Sequence, residues 1–169
     1  MGARSVVSAR GESKACFATF VELKTRFYVA IKMSDRSKNS ILEAIKQLTS
    51  NIPKEAFKTF TSDRGKEFSC WKEVEEMGIE FYFADPYCSW QRGCNENSNG
   101  LLKEFYPKKT DISKVETEDL LKTLMLINSR PRKCLNYATP FEKFLHEKYH
   151  NLILQFIQFI QFIKLLEFF

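Results

Sequence analysis

The sequence predicts a mixed α/β layer fold with a single domain, and three observations carry that prediction. Three short runs rich in Val, Phe and Thr follow one another in the first 33 residues, as a strand meander would. From there on, amphipathic segments with helical spacing alternate with short apolar strands. The chain has 169 residues, 44% apolar and 28% charged, which is enough to bury one real core.

Taken in order, residues 5–8 (Ser-Val-Val-Ser) end a first strand, and Gly11 punctuates the turn that follows. Ala15 to Leu23 form the second strand. Arg26 to Met33 form the third, with Phe27, Val29 and Ile31 on one side and Tyr28, Ala30 and Lys32 on the other. Asp35 or Ser37 caps a helix whose buried stripe is Ile41, Leu42, Ile45 and Leu48, and Asn51-Ile52-Pro53 ends it. Phe57 to Thr61 is a short strand running into Ser62-Asp63-Arg64-Gly65. Glu67 to Met77 is helical, with Phe68, Trp71, Val74 and Met77 on one face, and Gly78 stops it. Ile79 to Phe83 is a strand ended by Asp85-Pro86. Gln91 to Tyr106 is a helix with Leu101, Leu102 and Phe105 as its core face, and Pro107 terminates it. Val115 to Ser129 is a helix with acids in its first turns, and Pro140 opens a final short one. The order βββ-α-β-α-β-α-α suits an RNase H-like mixed sheet flanked by helices, by topological analogy.

Residues 1–149 are expected to form this core. Residues 150–169 differ in kind: Gln-Phe-Ile recurs three times, and polar residues fall at Gln155, Gln158, Gln161, Lys164 and Glu167. A period of three drifts around a helix and leaves no clean polar face, and these polar residues argue against a membrane span. The tail is expected to stand apart from the domain. Five cysteines without Cys-x-x-Cys spacing, and two histidines near the tail, argue against zinc and for reduced thiols. The first residues lack the apolar run of a signal peptide. A cytoplasmic protein is expected, on the nucleoid when bound to DNA. The net charge of +5 is compatible with a nucleic-acid partner without requiring one.

The chemistry concentrates in two places. Asp63 follows a strand directly and precedes Gly65, which lets other groups approach the backbone. Glu96 sits near the start of the helix after the next strand, among Trp90, Arg92 and a dense set of amides. Acids on separate elements that converge at one sheet edge suit metal-assisted phosphodiester chemistry, in which two cations about 4 Å apart activate one oxygen and stabilise another. Mg²⁺ favours such carboxylates with waters and phosphate oxygens. Alone, Asp63 reads as a turn residue and Glu96 as a first-turn charge; together they read as a site. Asp85 is a third candidate, though an Asp-Pro turn explains it.

Thr61-Ser62-Asp63-Arg64-Gly65-Lys66-Glu67-Phe68, Tyr82-Phe83-Ala84-Asp85-Pro86-Tyr87, Ser89-Trp90-Gln91-Arg92-Gly93 and Asn95-Glu96-Asn97 together resemble the bacterial IS-thirty family of insertion-sequence transposases. Asn128-Ser129-Arg130-Pro131-Arg132-Lys133 and Thr139-Pro140 extend the likeness over residues 5–148. The resemblance implies an integrase-like catalytic core of the DDE superfamily. It implies Mg²⁺ or Mn²⁺ at a two-metal site, and DNA integration and recombination through cleavage at the inverted-repeat ends and strand transfer. By motif, Asp63 matches the second acid and Glu96 the third, as catalytic residues and metal ligands.

Three departures bear on activity. The place of the family's first acid falls at about Arg4, and no Asp or Glu precedes Glu12. Arg64 replaces the Asn usual after the second acid, and the interval between the matched acids is one residue short. The helix-turn-helix region that members use to recognise their ends is not in this sequence. The expectation is a truncated, catalytically defective copy. The expected DNA-binding face comprises Lys66, Trp90, Gln91, Arg92, Asn95, Asn99 and Lys103, with basic groups on phosphates and Trp90 on an unpaired base. The alternative is a non-catalytic DNA-binding or dimerisation remnant, forming homo-oligomers or mixed oligomers with an intact transposase. An RNase H-type nuclease is a third reading, tested by hybrid cleavage.

Overall fold

The computed structural model describes residues 1–9, 11–51, 58–85, 93–147 and 149. The expected tail, 150–169, lies outside them. Five strands make one sheet: β1 (Gly2–Val7), β2 (Cys16–Val21), β3 (Tyr28–Met33), β4 (Thr59–Ser62) and β5 (Glu80–Phe83). The helices are α1 (Lys38–Asn51), α2 (Trp71–Glu76), α3 (Gly93–Phe105), α4 (Thr117–Asn128) and α5 (140–147). The sheet order is β3-β2-β1-β4-β5. The first three strands are an antiparallel meander, whereas β4 runs parallel to both β1 and β5. This is the mixed sheet the sequence predicts.

Strand β2 is buried on both faces, so its alternation is hidden in a continuous apolar run. Cys16, Ala18 and Phe20 face a core with Ile41, Ile45 and Leu48 of α1, Phe60, and Phe68 and Val74. Phe17 and Val21 face a second core with Tyr28, Leu102 of α3, and Leu120, Leu124 and Ile127 of α4. Each fully buried Phe or Leu contributes about 1.5–3 kcal/mol of hydrophobic stabilisation. The sheet is therefore a middle layer between α1 with α2 and α3 with α4.

Local chemistry sets the boundaries. Ser37 caps α1: its Oγ accepts the Ser40 N–H at 3.2 Å, while Asp35 Oδ1 accepts the Ser37 N–H at 3.0 Å. Gly78, at φ +83°, stops α2 as expected, and its N–H donates to Glu75 O. Thr139 and Glu142 form a capping box at α5, with Glu142 Oε2 accepting the Thr139 N–H at 2.7 Å. Strand β3 lies at the sheet edge, and one amide covers part of that edge. Asn128 Oδ1 accepts the Tyr28 N–H at 2.9 Å, and Asn128 Nδ2 donates to Tyr28 O at 2.8 Å.

β1 runs from Gly2 to Val7, so residues 5–7 close it, in keeping with the strand end read at residues 5–8. Two details differ from the sequence expectation. The segment read as one helix from Glu67 starts as a 3₁₀ turn, Lys66–Cys70, before α2. Further 3₁₀ turns at Ile112–Lys114 and Lys133–Leu135 carry no hydrophobic period long enough to detect.

Candidate functional site

β1 and β4 are adjacent and parallel, and the chain leaves them toward opposite sides of the sheet. Ligands of open α/β sheets bind at the carboxyl ends of strands at such a point. The register pairs Gly2 with Thr61, so two residues further along Arg4 stands level with Asp63, just past β4. Residues of β1 alternate between the two layers. Ala3 belongs to the α1 side, whereas a Cβ on Gly2 would stand 2.3 Å from Asn95 Oδ1 of α3. Arg4 shares the Gly2 side, and its Nη1 donates to Glu96 Oε1 of α3 at 2.9 Å. The pair is partly open to solvent, with side-chain exposures of 31% and 48%. Coulomb attraction at that exposure is worth about 0.2–1 kcal/mol.

Asp63 Oδ1 accepts the Gly65 N–H at 3.1 Å, which shapes the turn after β4. Beneath this turn lies Glu67, buried at 4% exposure. It accepts from Ser5 Oγ of β1 at 2.9 Å and from Arg36 Nε at 2.6 Å. Gly65 packs against it so tightly that a Cβ would stand 2.5 Å from Glu67 Oε2. Glu67 thus ties β1, the turn before α1 and the Asp63 turn together. Its position within the Asp63–Phe68 motif was visible in the sequence, but nothing there separated a buried carboxylate from an exposed one.

The other candidates divide. Lys66 and Lys103 are exposed. Asn95 and Asn99, grouped with the DNA face from sequence, are each 4% exposed. Asn95 packs against Gly2, and Asn99 Oδ1 accepts the Tyr28 hydroxyl at 2.8 Å. Both amides therefore face the domain interior, where a helix face against a sheet has room for short polar groups with partners. Trp90, Gln91 and Arg92 lie outside the described residues. Asp85 is exposed at the end of β5.

A cleft of about 540 Å³ opens over β1, lined by Arg4, Glu96, Asn99, Lys103, Tyr106 and Lys108 among others. A clasp between the β1–β2 turn and the segment leading to α4 lies beside it. There Asp111 Oδ1 accepts from Ser13 Oγ at 2.6 Å and Ser113 Oγ at 2.7 Å. These hydroxyl bonds hold the Asp111 carboxyl down at about 2.

Two-metal chemistry needs converging carboxylates. Here a guanidinium occupies the strand position between Asp63 and Glu96 and bonds to the latter. The positive guanidinium of Arg4 repels a divalent cation and consumes the ligand that would attract one. The residues present do not fit the metal pair. Among the described residues no group of three or more His, Cys, Asp or Glu could hold a metal ion.

Residues 5–89 match the Integrase core domain family. The chain is 35% identical over 133 residues to Transposase InsI for insertion sequence element IS30A of Escherichia coli (strain K12), covering 78% of this chain and 35% of that protein. It is 47% identical over 87 residues to the transposase for insertion sequence element IS4351 of Bacteroides fragilis, covering 51% of this chain and 27% of that protein. The chain thus spans about a third of the length of these curated relatives, or less. Among solved structures, the catalytic core domain of BIV integrase superposes with a TM-score of 0.65 at 16% identity, covering 89% of this chain and 96% of that one. The HTLV-2 integrase catalytic core domain in complex with magnesium gives 0.63 at 14%, covering 83% and 92%. These likenesses show the fold, an RNase H-like integrase core.

Proposed function

The chain belongs to the integrase core domain family, with insertion-sequence transposases among its relatives, and from that premise we propose that it is a DNA-acting transposase core whose metal centre is disabled by Arg4. The observation that carries this reading is the Arg4–Glu96 pair at 2.9 Å. Strand cleavage and strand transfer in such a core depend on divalent cations, Mg²⁺ or Mn²⁺, held by carboxylates. The element's inverted-repeat ends are the proposed DNA substrate. Lys66, Arg92 and Lys103 would neutralise phosphates there, Trp90 would stack on an unpaired base, and Gln91 would lie on the same face, as the sequence suggests. Asp63 and Glu96 are the remaining members of the catalytic set.

The test is direct. Purified protein is incubated with duplex DNA carrying the cognate inverted repeat, in Mg²⁺ and then in Mn²⁺. The expected result is no nick in either. Nicking that Glu96→Gln abolishes would overturn the defect.

A second reading is favoured by the contrast between an intact fold and an altered metal centre. In it the domain is a non-catalytic remnant that binds DNA or assembles with an intact transposase and so interferes with it. Added to an excision assay of an intact relative, the protein should lower the yield and co-purify with that relative. Unchanged yield with no co-purification removes this reading and leaves the first.

A further inference from the structure

We propose that the cleft over β1 grips a DNA phosphodiester without metal, the Arg4 guanidinium standing in for a divalent cation. The inference rests on the DNA-acting reading of the domain and goes beyond it by naming the ligand group, its partners and its independence of metal. Four charged side chains line the cleft, Arg4, Lys103 and Lys108 against Glu96, so cations outnumber the carboxylate by three to one. Its lining hydroxyls are largely engaged elsewhere: Ser5 Oγ donates to Glu67, Ser8 Oγ accepts the Ile112 N–H and Tyr106 bonds Thr123. The charged groups are therefore what an anionic ligand would meet.

Arg4 is suited to that ligand. Its bond to Glu96 is made through Nη1, and a guanidinium carries five N–H donors in a planar fork. That fork matches the oxygens of a phosphate. Glu96 orients the guanidinium as it would a cation. Lys103 lies seven residues after Glu96 on α3, hence on the same helix face, and Lys108 follows just beyond the helix end. A metal ion would hold phosphate oxygens and also ionise a bound water; a guanidinium has no water ligand to ionise. The cleft would thus bind a strand and leave it uncut, and a chelator would have nothing to remove.

The experiment measures fluorescence anisotropy of a fluorescein-labelled mixed-sequence duplex, in EDTA and in Mg²⁺ at matched ionic strength. Wild type should bind equally in both, within about twofold. Arg4→Gln and Lys103→Ala should each weaken binding and lower the salt slope by about one. Arg4→Asp should bind poorly in EDTA and recover about tenfold in Mn²⁺. In an electron paramagnetic resonance titration, Arg4→Asp should immobilise Mn²⁺ and wild type should not. Circular dichroism checks that each variant folds. Should the Arg4 variants fail that check, Lys103→Ala and Lys108→Ala carry the DNA arm and wild type carries the Mn²⁺ arm.

Binding by wild type that appears only with Mg²⁺ would overturn the inference while leaving the DNA-acting reading intact. So would Mn²⁺ immobilised by wild type, or Arg4→Gln or the lysine variants folding with affinity and slope unchanged. Absence of DNA binding in both buffers would overturn the inference and the DNA-acting reading together.

Discussion

Gly2 shows how a single missing side chain shapes the site. It lies on β1 two residues before Arg4, and Asn95 of α3 fills the space a Cβ would take. Asn95 is buried, so it has little room to yield. Gly2→Ala should therefore destabilise the domain by about 1–3 kcal/mol through overpacking. A urea titration checks this, and a midpoint equal to wild type would show that α3 shifts freely. The same spacing explains what the sequence could tell at this scale. Asp63 and Glu96 stood out because each sits in a run of residues that a purely structural segment rarely assembles. The position of Arg4 was legible from its distance to the following turn. Its bond to Glu96 was not, because 92 residues separate them and only the β1–β4 register and the docking of α3 bring them together. The burial of Asn95 and Asn99 was hidden for a related reason: an amide on a helix reads as exposed until its neighbours are known.

At the scale of elements, the 3₁₀ turn after β4 acts as a brace. Glu67 receives bonds from Ser5 and Arg36 and sits against Gly65. Removing it by Glu67→Ala should cost about 1–3 kcal/mol, since Ser5 loses its partner while Arg36, already half exposed, can turn to water. Amide hydrogen exchange should speed up in residues 63–68 more than in α4; uniform protection would refute the bracing role. The Asp111 clasp predicts a pH dependence. Its folded carboxyl titrates at about 2 against an ordinary 3.8, so it stabilises the folded state fully above about 4. That contribution fades as pH falls from about 4 to about 2. Thermal melts across this window should fall less steeply in Asp111→Asn than in wild type, and parallel curves would contradict the clasp. Strands and helices were legible here because their periods are long enough to see. The 3₁₀ turns were not, since three to five residues hold too little pattern.

For the whole molecule, the decisive feature is that β2 serves two cores at once. All six of its residues are buried, with Phe20 in one layer and Phe17 in the other. Neither helical layer can separate without exposing the shared sheet, so the two should unfold together. The sequence suggested this only in part. The order of elements gave the layers, but an unbroken apolar strand does not reveal which residue faces which helix. Ile45 and Ile127 are fully buried on opposite faces of the sheet and offer a test. Ile45→Val and Ile127→Val should each cost about 0.5–1.5 kcal/mol. They share no core cluster, so the double variant should lose the sum within about 0.5 kcal/mol. Unfolding in urea can be followed in a Trp90→Phe background by tryptophan fluorescence, which then senses Trp71 on the α1–α2 side, and by far-ultraviolet circular dichroism, which senses both sides. The two probes should give coincident curves for all four proteins. If Ile127→Val instead shifts the dichroism curve and leaves the fluorescence curve in place, the layers are independent. In that case α3, with Glu96, could detach from β1 while the rest stays folded, and the Arg4–Glu96 pair would be a local latch rather than part of a single cooperative structure.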